Sequence, residues 1–383
     1  MAVVFTTDVS QTKLLMAYNN QIVQFYSNTV GKVPLNAEIS IIGVTSVIYP
    51  HPNGTFYLNL KRYLAAIVNT NKFQDPVYPD IDPLDIETYI YNAVNGTYVD
   101  GPLTIKINFT DLTFESANRN IKVLNGVQQL YAQKKYEIQN DSFMQILSPI
   151  SSGSSNQYYI RYWPGFPFEF SFYTASIHKV NVINQRTLSS VEMTPKGRVN
   201  SVYLCDGSTD TSIDTQLQLV EGYNQLKFEI NLTDIDQYVT LVKEEPCEGI
   251  YIKWLNYFGR WNYWLFKGDY MQSISAKNIG EIENDFFNLA STVSPTMNVG
   301  KTAEAPIKVQ SRNMTESDRE LLSSIMISPR IYMFTGTPFS KAEMNDWMEV
   351  RLKTGNFPIK EPGRSTWTVN FEFELPSLYT QTL

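Results

Sequence analysis

The chain has 383 residues, a formal net charge of −7 and only 18% charged residues, whereas 43% are hydrophobic. An electrostatic nucleic-acid binder needs a basic face that displaces counterions, so this charge argues against that class. No apolar run approaches the roughly 20 residues that a membrane-spanning helix requires, and no secretory signal is expected at the N-terminus.

At this length, two or three domains are expected. The chain contains 24 Tyr and 21 Phe, beside many Asn, Thr and Ser residues, and such a composition favours strands and turns over long surface helices. We therefore predict a mainly β fold, with tandem β-sandwich-like modules and a small C-terminal α+β unit. The predicted divisions are an N-terminal β module (1–100), a central β-sandwich region (101–270) and the C-terminal unit (271–383).

In the N-terminal module, residues 37–60 are predicted to form a hairpin. Its turn is placed at Pro50–Gly54, because Pro and Asn-Gly favour chain reversal. A short helix is predicted over Lys61–Val68 from the spacing of its apolar residues. The Pro- and Asp-rich segment Asp75–Pro83 is predicted to be a long surface loop.

In the central region, short apolar runs separated by turn signals predict a series of strands. The predicted strands are Leu103–Phe109, Gln157–Trp163, Pro167–Tyr173, Lys179–Val182, Ser201–Leu204, Gln216–Leu219, Leu226–Ile230 and Val239–Val242. Ser148–Asn156 is predicted to be a flexible loop or a boundary between subdomains. Asp206–Asp214, with its Gly, Ser and Thr spacers, is predicted to be a loop.

An aromatic hairpin over residues 247–266 is the most informative feature of the sequence. Two apolar runs flank Asn256–Gly259, and Gly259 supplies the positive φ that a tight reversal needs. The candidate core or interface aromatics are Tyr251, Trp254, Tyr257, Phe258, Trp261, Tyr263, Trp264 and Phe266. Side chains alternate between the two faces of a strand, and apolar residues stand at consecutive positions here, so both faces of the hairpin are apolar. One face is expected to lie on a core, and the other to face a second layer, a partner chain or a ligand.

The C-terminal unit shows helix-start signals and one alternating strand. Thr315–Asp318 and Ser340–Glu343 match capping boxes, and the first precedes a predicted helix that ends near Ser328. In the last strand one face is apolar and the other polar. Its apolar face is predicted to pack on the helix and consists of Trp367, Val369, Phe371, Phe373 and Leu375.

We find no catalytic constellation, cofactor motif or metal-ligand spacing, and we expect no enzymatic activity and no cofactor. The two histidines, His51 and His178, lie far apart in sequence, without neighbouring ligands. Gly300-Lys301-Thr302 resembles the end of a phosphate-binding loop, but Pro295 stands where the upstream glycine is required. If a metal were bound, the first candidate ligands would be Asp206, Asp210 and Asp214.

The two cysteines, Cys205 and Cys247, each lie at the edge of a strand-like run. Neighbouring strands bring Cα atoms into disulfide range, so the sequence leaves their pairing open. Without an export signal, two free and partly buried thiols are expected.

Several segments resemble virion structural proteins of tailed bacteriophages, of the type found in phages and prophages of Bacteroidota hosts. The resemblance rests on the order of Tyr49–Asn59, Phe166–Phe172, Cys247–Asn256 and Trp261–Phe266. It implies a tail or baseplate component, built from β-sandwich modules, that assembles in the host bacterial cytoplasm as a homo-oligomeric ring or multimer with other virion proteins. It implies no cofactor. The net charge and the short apolar runs independently predict no nucleic-acid partner and no membrane.

Two other classes of function remain open. Trp and Tyr faces can stack on sugar rings, so the chain is alternatively a carbohydrate- or receptor-binding module for a host-surface glycan. Exposed Trp254 or Trp261 beside Asn262 would favour that class, and burial of all three hairpin tryptophans would argue against it. A virion-associated glycan hydrolase would need two carboxylates facing a groove, and the sequence selects no such pair.

Overall fold

The structure, a computed structural model, describes residues 3–69, 81–93, 98–128, 138–139, 144–147, 157–175, 178–209, 212–230, 237–268, 270–283, 296–358 and 367–381. In these residues strands predominate and form several sheets, so the predicted mainly β, sandwich-like fold is confirmed. None of the helices described is long and apolar enough to cross a membrane.

The strands and helices follow one another along three parts of the chain. The first part contains β1 (Val3–Thr7), β2 (Leu15–Met16), β3 (Ile22–Ser27), β4 (Pro34–Ile41), β5 (Val44–Ile48), β6 (Phe56–Asn59), α1 (Lys61–Asn69), a 3₁₀ turn (Ile86–Tyr89), β7 (Ile90–Asn92), β8 (Tyr98–Phe109) and β9 (Phe114–Leu124). The second contains β10 (Gln145–Ile146), β11 (Gln157–Tyr162), β12 (Pro167–Tyr173), β13 (Val180–Asn184), β14 (Ser190–Met193), β15 (Val199–Asp206), β16 (Gly222–Ile230), β17 (Gln237–Lys243), β18 (Gly249–Leu255) and β19 (Trp261–Lys267). The third contains β20 (Tyr270–Gln272), β21 (Ser275–Glu283), β22 (Thr296–Glu304), β23 (Pro306–Met314), α2 (Glu316–Ser323), 3₁₀ turns (Ser324–Ile327 and Met344–Asp346), β24 (Ile331–Phe334), β25 (Trp347–Leu352) and β26 (Trp367–Glu374).

The N-terminal unit is a two-sheet sandwich. One sheet has the order β1-β3-β6 and the other β2-β9-β8-β4-β5. Alternating apolar side chains from both sheets meet in one core, where Phe25 and Phe56 stack with ring centroids 5.1 Å apart. Helix α1 adds Leu64 and Val68 to this core, which confirms the predicted helix. Because β8 and β9 complete the second sheet, the N-terminal core extends beyond the predicted boundary at residue 100.

The hairpin predicted over 37–60 is wrong in its turn and its pairing. The reversal lies at Ile42-Gly43, where both residues have positive φ (45° and 86°), and it joins β4 to β5. Such two-residue turns match the twist of the flanking strands. After Pro50–Gly54 the chain continues into β6, which pairs with β3 instead. A run of β-branched residues concealed the earlier turn.

In the rest of the described residues, three larger sheets surround one continuous core, and a fourth sheet has only two strands, β21 and β22. The strand orders of the larger sheets are β10-β12-β15-β7, β11-β17-β16-β13-β14 and β19-β18-β24-β25-β26-β23-β20. Strand β12 is buried along its whole length. Phe170 contacts Phe228 of the five-stranded sheet, whereas Glu169 contacts Arg260 beside the seven-stranded sheet. The four-stranded sheet is therefore covered on both faces.

The predicted boundary at 270/271 does not separate two cores, because the seven-stranded sheet contains both β18–β19 and the C-terminal strands. The predicted strand Gln216–Leu219 is also wrong: residues 213–218 form consecutive turns, and Gln218 has φ 45°. Leu217 and Leu219 are buried there, so apolar anchors of a loop were mistaken for a strand. The predicted loops Asp75–Pro83 and Ser148–Asn156 lie largely or wholly outside the described residues.

The C-terminal helix begins as predicted. Thr315 caps α2, and its side chain and that of Asp318 bond each other's backbone N–H groups. The second box is shifted, because Glu343 rather than Ser340 caps the next 3₁₀ turn. In β26 the predicted alternation is confirmed. Helix α2 contacts β26 through the Arg319 guanidinium, which lies 3.8 Å from the Trp367 ring centre. Phe371 and Phe373, on the apolar face of β26, pack on Phe266.

A two-stranded arm extends from the edge of the seven-stranded sheet. Strand β20 pairs with β23 inside the sheet, and the same two chain segments continue outward as β21 and β22. Nine residues in each of these strands give an arm about 30 Å long. Almost every side chain on both strands is exposed, including Ile279, Ile282 and Met297.

Candidate functional site

The aromatic hairpin has the predicted turn. Strands β18 and β19 pair in register from Gly249↔Lys267 to Leu255↔Trp261. Gly259 has φ 67°, and a Cβ there would lie only 2.1 Å from the Asn125 carbonyl oxygen. The Val127 N–H also donates to the Tyr257 carbonyl, at 2.8 Å. Glycine is thus needed for the turn and for its close contact with the N-terminal unit.

Replacing Gly259 with Ala should destabilise the protein more than the same change at Gly268. Both residues have positive φ, but nothing lies within 4 Å of a Cβ on Gly268. We expect Gly268→Ala to lower the free energy of unfolding by about 1–2 kcal/mol, because only backbone strain is added. For Gly259→Ala we expect about 2–3 kcal/mol, because the steric clash adds to the strain. Denaturant titrations compare the two, and equal losses would contradict the close contact.

The hairpin aromatics are core residues on both faces. All eight predicted residues are buried except Tyr257, which is half-buried. On one face, Tyr251 and Tyr263 contact Phe166 and Phe168. The opposite face packs on other parts of the chain, with Trp264 against Trp163, Phe266 against Phe371 and Phe373, and Trp254 Nε1 donating to Ser324 Oγ at 2.7 Å. The second layer that the sequence left open is therefore supplied within the chain.

A buried charged network lies at the hairpin tip. Arg260 Nη2 lies 3.2 Å from Glu169 Oε1, and Arg260 Nε donates to Ser171 Oγ at 2.9 Å. The Tyr91 hydroxyl donates to the other Glu169 oxygen. Burial, and then the Glu169 charge, raise the pKa of Tyr91. Burial alone would lower the pKa of Arg260, but Tyr91 and Glu169 outweigh it and raise that pKa. The network joins the hairpin to the four-stranded sheet.

Lys253 lies in an aromatic enclosure on the same hairpin. Its Nζ is 4.3 Å from the ring centre of Trp347, 4.8 Å from that of Trp261 and 5.5 Å from that of Tyr332. Aromatic faces attract a desolvated ammonium group. Since Lys253 is itself only 2% exposed, the enclosure is filled by its own lysine and belongs to the core.

The hairpin tryptophans offer no sugar-stacking platform. Trp254, Trp261 and Trp264 are 0%, 5% and 3% exposed. Their faces are occupied by neighbouring side chains, so a glycan could reach them only if the core opened. Exposed tryptophans would have favoured carbohydrate binding at the hairpin, and all three are buried.

The described residues contain no group of three His, Cys, Asp or Glu side chains able to hold a metal ion. The Asp206 carboxylate accepts from Ser208 through one oxygen, Asp214 pairs with Lys243 at 2.6 Å, and Asp210 lies outside the described residues. Gly300-Lys301-Thr302 lies within strand β22 of the arm. It is therefore not a phosphate-binding loop.

The two cysteines are free, as expected, but neither is partly buried, because Cys205 is buried and Cys247 is exposed. Burial raises the pKa of the Cys205 thiol to about 11. Cys205 is therefore mostly a neutral thiol at neutral pH and a weak nucleophile.

An open cleft lies beside Cys205, at the ends of β11, β15 and β17. Its volume is about 430 Å³, within the range of small-molecule sites, roughly 300–1,000 Å³. More of the exposed wall is apolar than polar, and it is formed by Tyr162, Pro164, Gly165, Cys205, Ser208, Thr209, Ser212, Asp214, Thr215, Gln218, Leu219, Val220, Lys243 and Phe339. Sequence analysis identified only a polar loop here and not the cleft, because the walls of the cleft come from four separate segments.

No family model matches the chain, and no curated protein matches it. Among solved structures, fibronectin(III)-like modules of Clostridium thermocellum CbhA align over 63% of this chain and 94% of theirs, with 8% identity and a TM-score of 0.19. The titin fragment A168169 aligns over 64% of this chain and 100% of its own, with 9% identity and a TM-score of 0.26. Domains 4 and 5 of the S-layer protein SbsC align over 63% and 98%, with 10% identity and a TM-score of 0.16. Likeness at this level supports no conclusion about function.

Proposed function

We propose that the chain is a structural subunit of a phage virion, in the tail or the baseplate, and that it acts through protein–protein interfaces with other virion proteins and copies of itself. The observation that supports assembly most directly is the exposed arm formed by β21 and β22. The resemblance of the quoted sequence segments supports the phage particle as the place of assembly.

An isolated two-stranded hairpin is at best marginally stable in water. The arm also exposes three large apolar side chains, Ile279, Ile282 and Met297, which are 55%, 53% and 43% exposed. Ile282 and Met297 are cross-strand partners, so they lie on the same face of the arm. A neighbouring subunit that covers this face would remove apolar surface from water and stabilise the arm.

The edges of the arm are less suited to contact than its faces. The register of β21 and β22 shifts on both sides of Gly280, which indicates bulges. Bulges oppose the addition of another strand to an edge. At its base, β22 is also covered by the C-terminal segment, where the Leu378 N–H donates to the Ala303 carbonyl at 3.2 Å. A partner is therefore expected to pack on the face that carries Ile282.

The proposal predicts that the double change Ile282→Ser and Met297→Ser, on one face of the arm, weakens self-association or binding to the neighbouring virion protein. The expected loss is at least about tenfold, because each Ile or Met side chain buried at an interface contributes roughly 1.5–3 kcal/mol. Sedimentation over a concentration series measures it for copies of this chain. Val30→Ser is the matched control, because Val30 is 97% exposed on the N-terminal unit.

Imaging of the intact particle tests the assignment to the virion. The expected result is a repeated subunit in the tail or baseplate whose arm lies on a neighbouring subunit. A particle that lacks this chain would overturn the virion role, whereas a chain that is present with its arm surrounded by solvent would overturn the role of the arm.

A further inference from the structure

We propose that the edge of strand β5 is a self-association surface, on which β5 of a second copy of this chain pairs antiparallel about a two-fold axis. The pairing joins the five-stranded sheets of two N-terminal units into one continuous sheet. The inference deepens the self-association in the proposed function and rests on that part of it. It uses none of the residues of the arm, so the two contacts can be tested separately.

Strand β5 lies at an open edge of its sheet, where it pairs with β4 without a bulge. The two-residue turn at Ile42-Gly43 fixes which backbone groups face outward, because the residues that flank such a turn bond each other. Val44 therefore bonds to β4. The alternation of an antiparallel ladder then directs the N–H and C=O groups of Thr45 and Val47 away from the sheet. Within the residues that the structure describes, no other backbone group bonds to them.

The edge of β5 carries none of the features that usually prevent strands from pairing, which are charged side chains, proline and bulges. Its sequence is Val-Thr-Ser-Val-Ile, and Val47 is 47% exposed. Two other edge strands do show such protection. Strand β1 has a bulge between Phe5 and Thr7, and β14 carries Glu192, which pairs with Lys179 at the surface. The β5 edge is therefore open to another strand.

The sequence of β5 matches itself when two copies run antiparallel. The register that uses both outward-facing residues of each copy pairs Thr45 with Val47 of the second copy, and the two strands then form four backbone hydrogen bonds. Ser46 lies on the two-fold axis opposite Ser46, and Val44 lies opposite Ile48. Apart from the central serines, each pair joins two β-branched residues, which suit cross-strand contact. Such a contact is isologous, as two-fold dimers require.

Tyr49 supplies a further self-matching contact. It follows β5 directly and is 73% exposed. In the same register Tyr49 lies opposite Gly43 of the second copy, where a Cβ would meet nothing within 4 Å. An aromatic ring can cover a glycine on a neighbouring strand, and the two-fold axis forms this contact twice. Identical surfaces also repel each other when they are charged, and neither β5 nor Tyr49 carries a charge.

Sedimentation equilibrium of the full chain over a concentration series tests the pairing. The background variant carries Ile282→Ser and Met297→Ser, so that the arm does not contribute. A pairing this short buries less than the about 1,200 Å² of a stable interface, and we therefore expect a reversible, concentration-dependent dimer. In this background Tyr49→Ala should weaken the dimer about fivefold or more, because both ring contacts are lost. Tyr223→Ala is the control, since Tyr223 is 65% exposed on β16.

Two double variants test the antiparallel register. Thr45→Lys with Val47→Lys places like charges opposite each other in both pairs, and should weaken the dimer at least about tenfold. Thr45→Glu with Val47→Lys places opposite charges in both pairs, and should retain a dimer that weakens as salt is added. The Tm of each variant shows that the fold is kept, because the side chains of Thr45 and Val47 are exposed.

Three outcomes would overturn the inference. The first is a chain that stays monomeric at every concentration reached, including a chain whose β5 edge is instead occupied by a different virion protein. The second is equal association of the two double variants, which would show that Thr45 does not lie opposite Val47. The third is association that the arm variant abolishes and the β5 variants leave unchanged. In that third case the proposed function stands and only the β5 contact fails.

Discussion

Trp254→Ala is expected to lower the free energy of unfolding by about 3–5 kcal/mol, the range for large aromatic side chains removed from a core. Trp254 is 0% exposed, and its indole N–H donates to Ser324 Oγ at 2.7 Å. The change would leave a cavity between the hairpin and the 3₁₀ turn that follows α2. It would also remove the donor to the fully buried Ser324 hydroxyl, which would keep only its own bond to the Leu321 carbonyl.

Chemical denaturation followed by circular dichroism measures this loss. Phe114→Ala is the control, because Phe114 is 61% exposed and surface changes usually stay within about 0.5 kcal/mol. A loss below about 1 kcal/mol for Trp254→Ala, with the fold retained, would show that the hairpin is not part of the core.

Arg260→Met is expected to destabilise the protein by about 3–5 kcal/mol, because it leaves a buried carboxylate without its cation. Arg260 is 4% exposed and Glu169 is 2% exposed. The guanidinium also donates to Ser171 and Ser201, so three buried acceptors lose a donor at once.

The double variant Arg260→Met with Glu169→Gln separates the ion pair from the loss of the arginine side chain. It should recover much of the stability, because no uncompensated charge remains in the core. Lys179→Met is the control, since Lys179 and Glu192 form an exposed pair, and its Tm should match that of the unchanged protein. If the double variant is no more stable than Arg260→Met alone, the buried charge is not the cause of the loss.

The sequence by itself determined the features that depend on neighbouring residues. The Gly259 turn, the capping box at Thr315 and the alternation of β26 were all predicted, because turn conformation, helix capping and strand periodicity are local properties. Local signals led to a wrong prediction where a turn signal and a strand signal competed in the same segment. The Pro50–Gly54 turn was visible, whereas the Ile42-Gly43 turn lay hidden inside a β-branched run.

The tertiary structure alone decided what covers each apolar face and where each core ends. The hairpin sequence shows that both faces are apolar, but not that one packs on Phe168 and the other on Phe371 of the same chain. The boundaries predicted at 100/101 and 270/271 failed for the same reason: strand pairing between distant segments places β8 in the N-terminal sheet and β19 in the C-terminal one. The Arg260–Glu169 pair and the cleft beside Cys205 also join distant segments. Such contacts depend on long-range pairing and packing, which a single sequence does not encode in any local pattern.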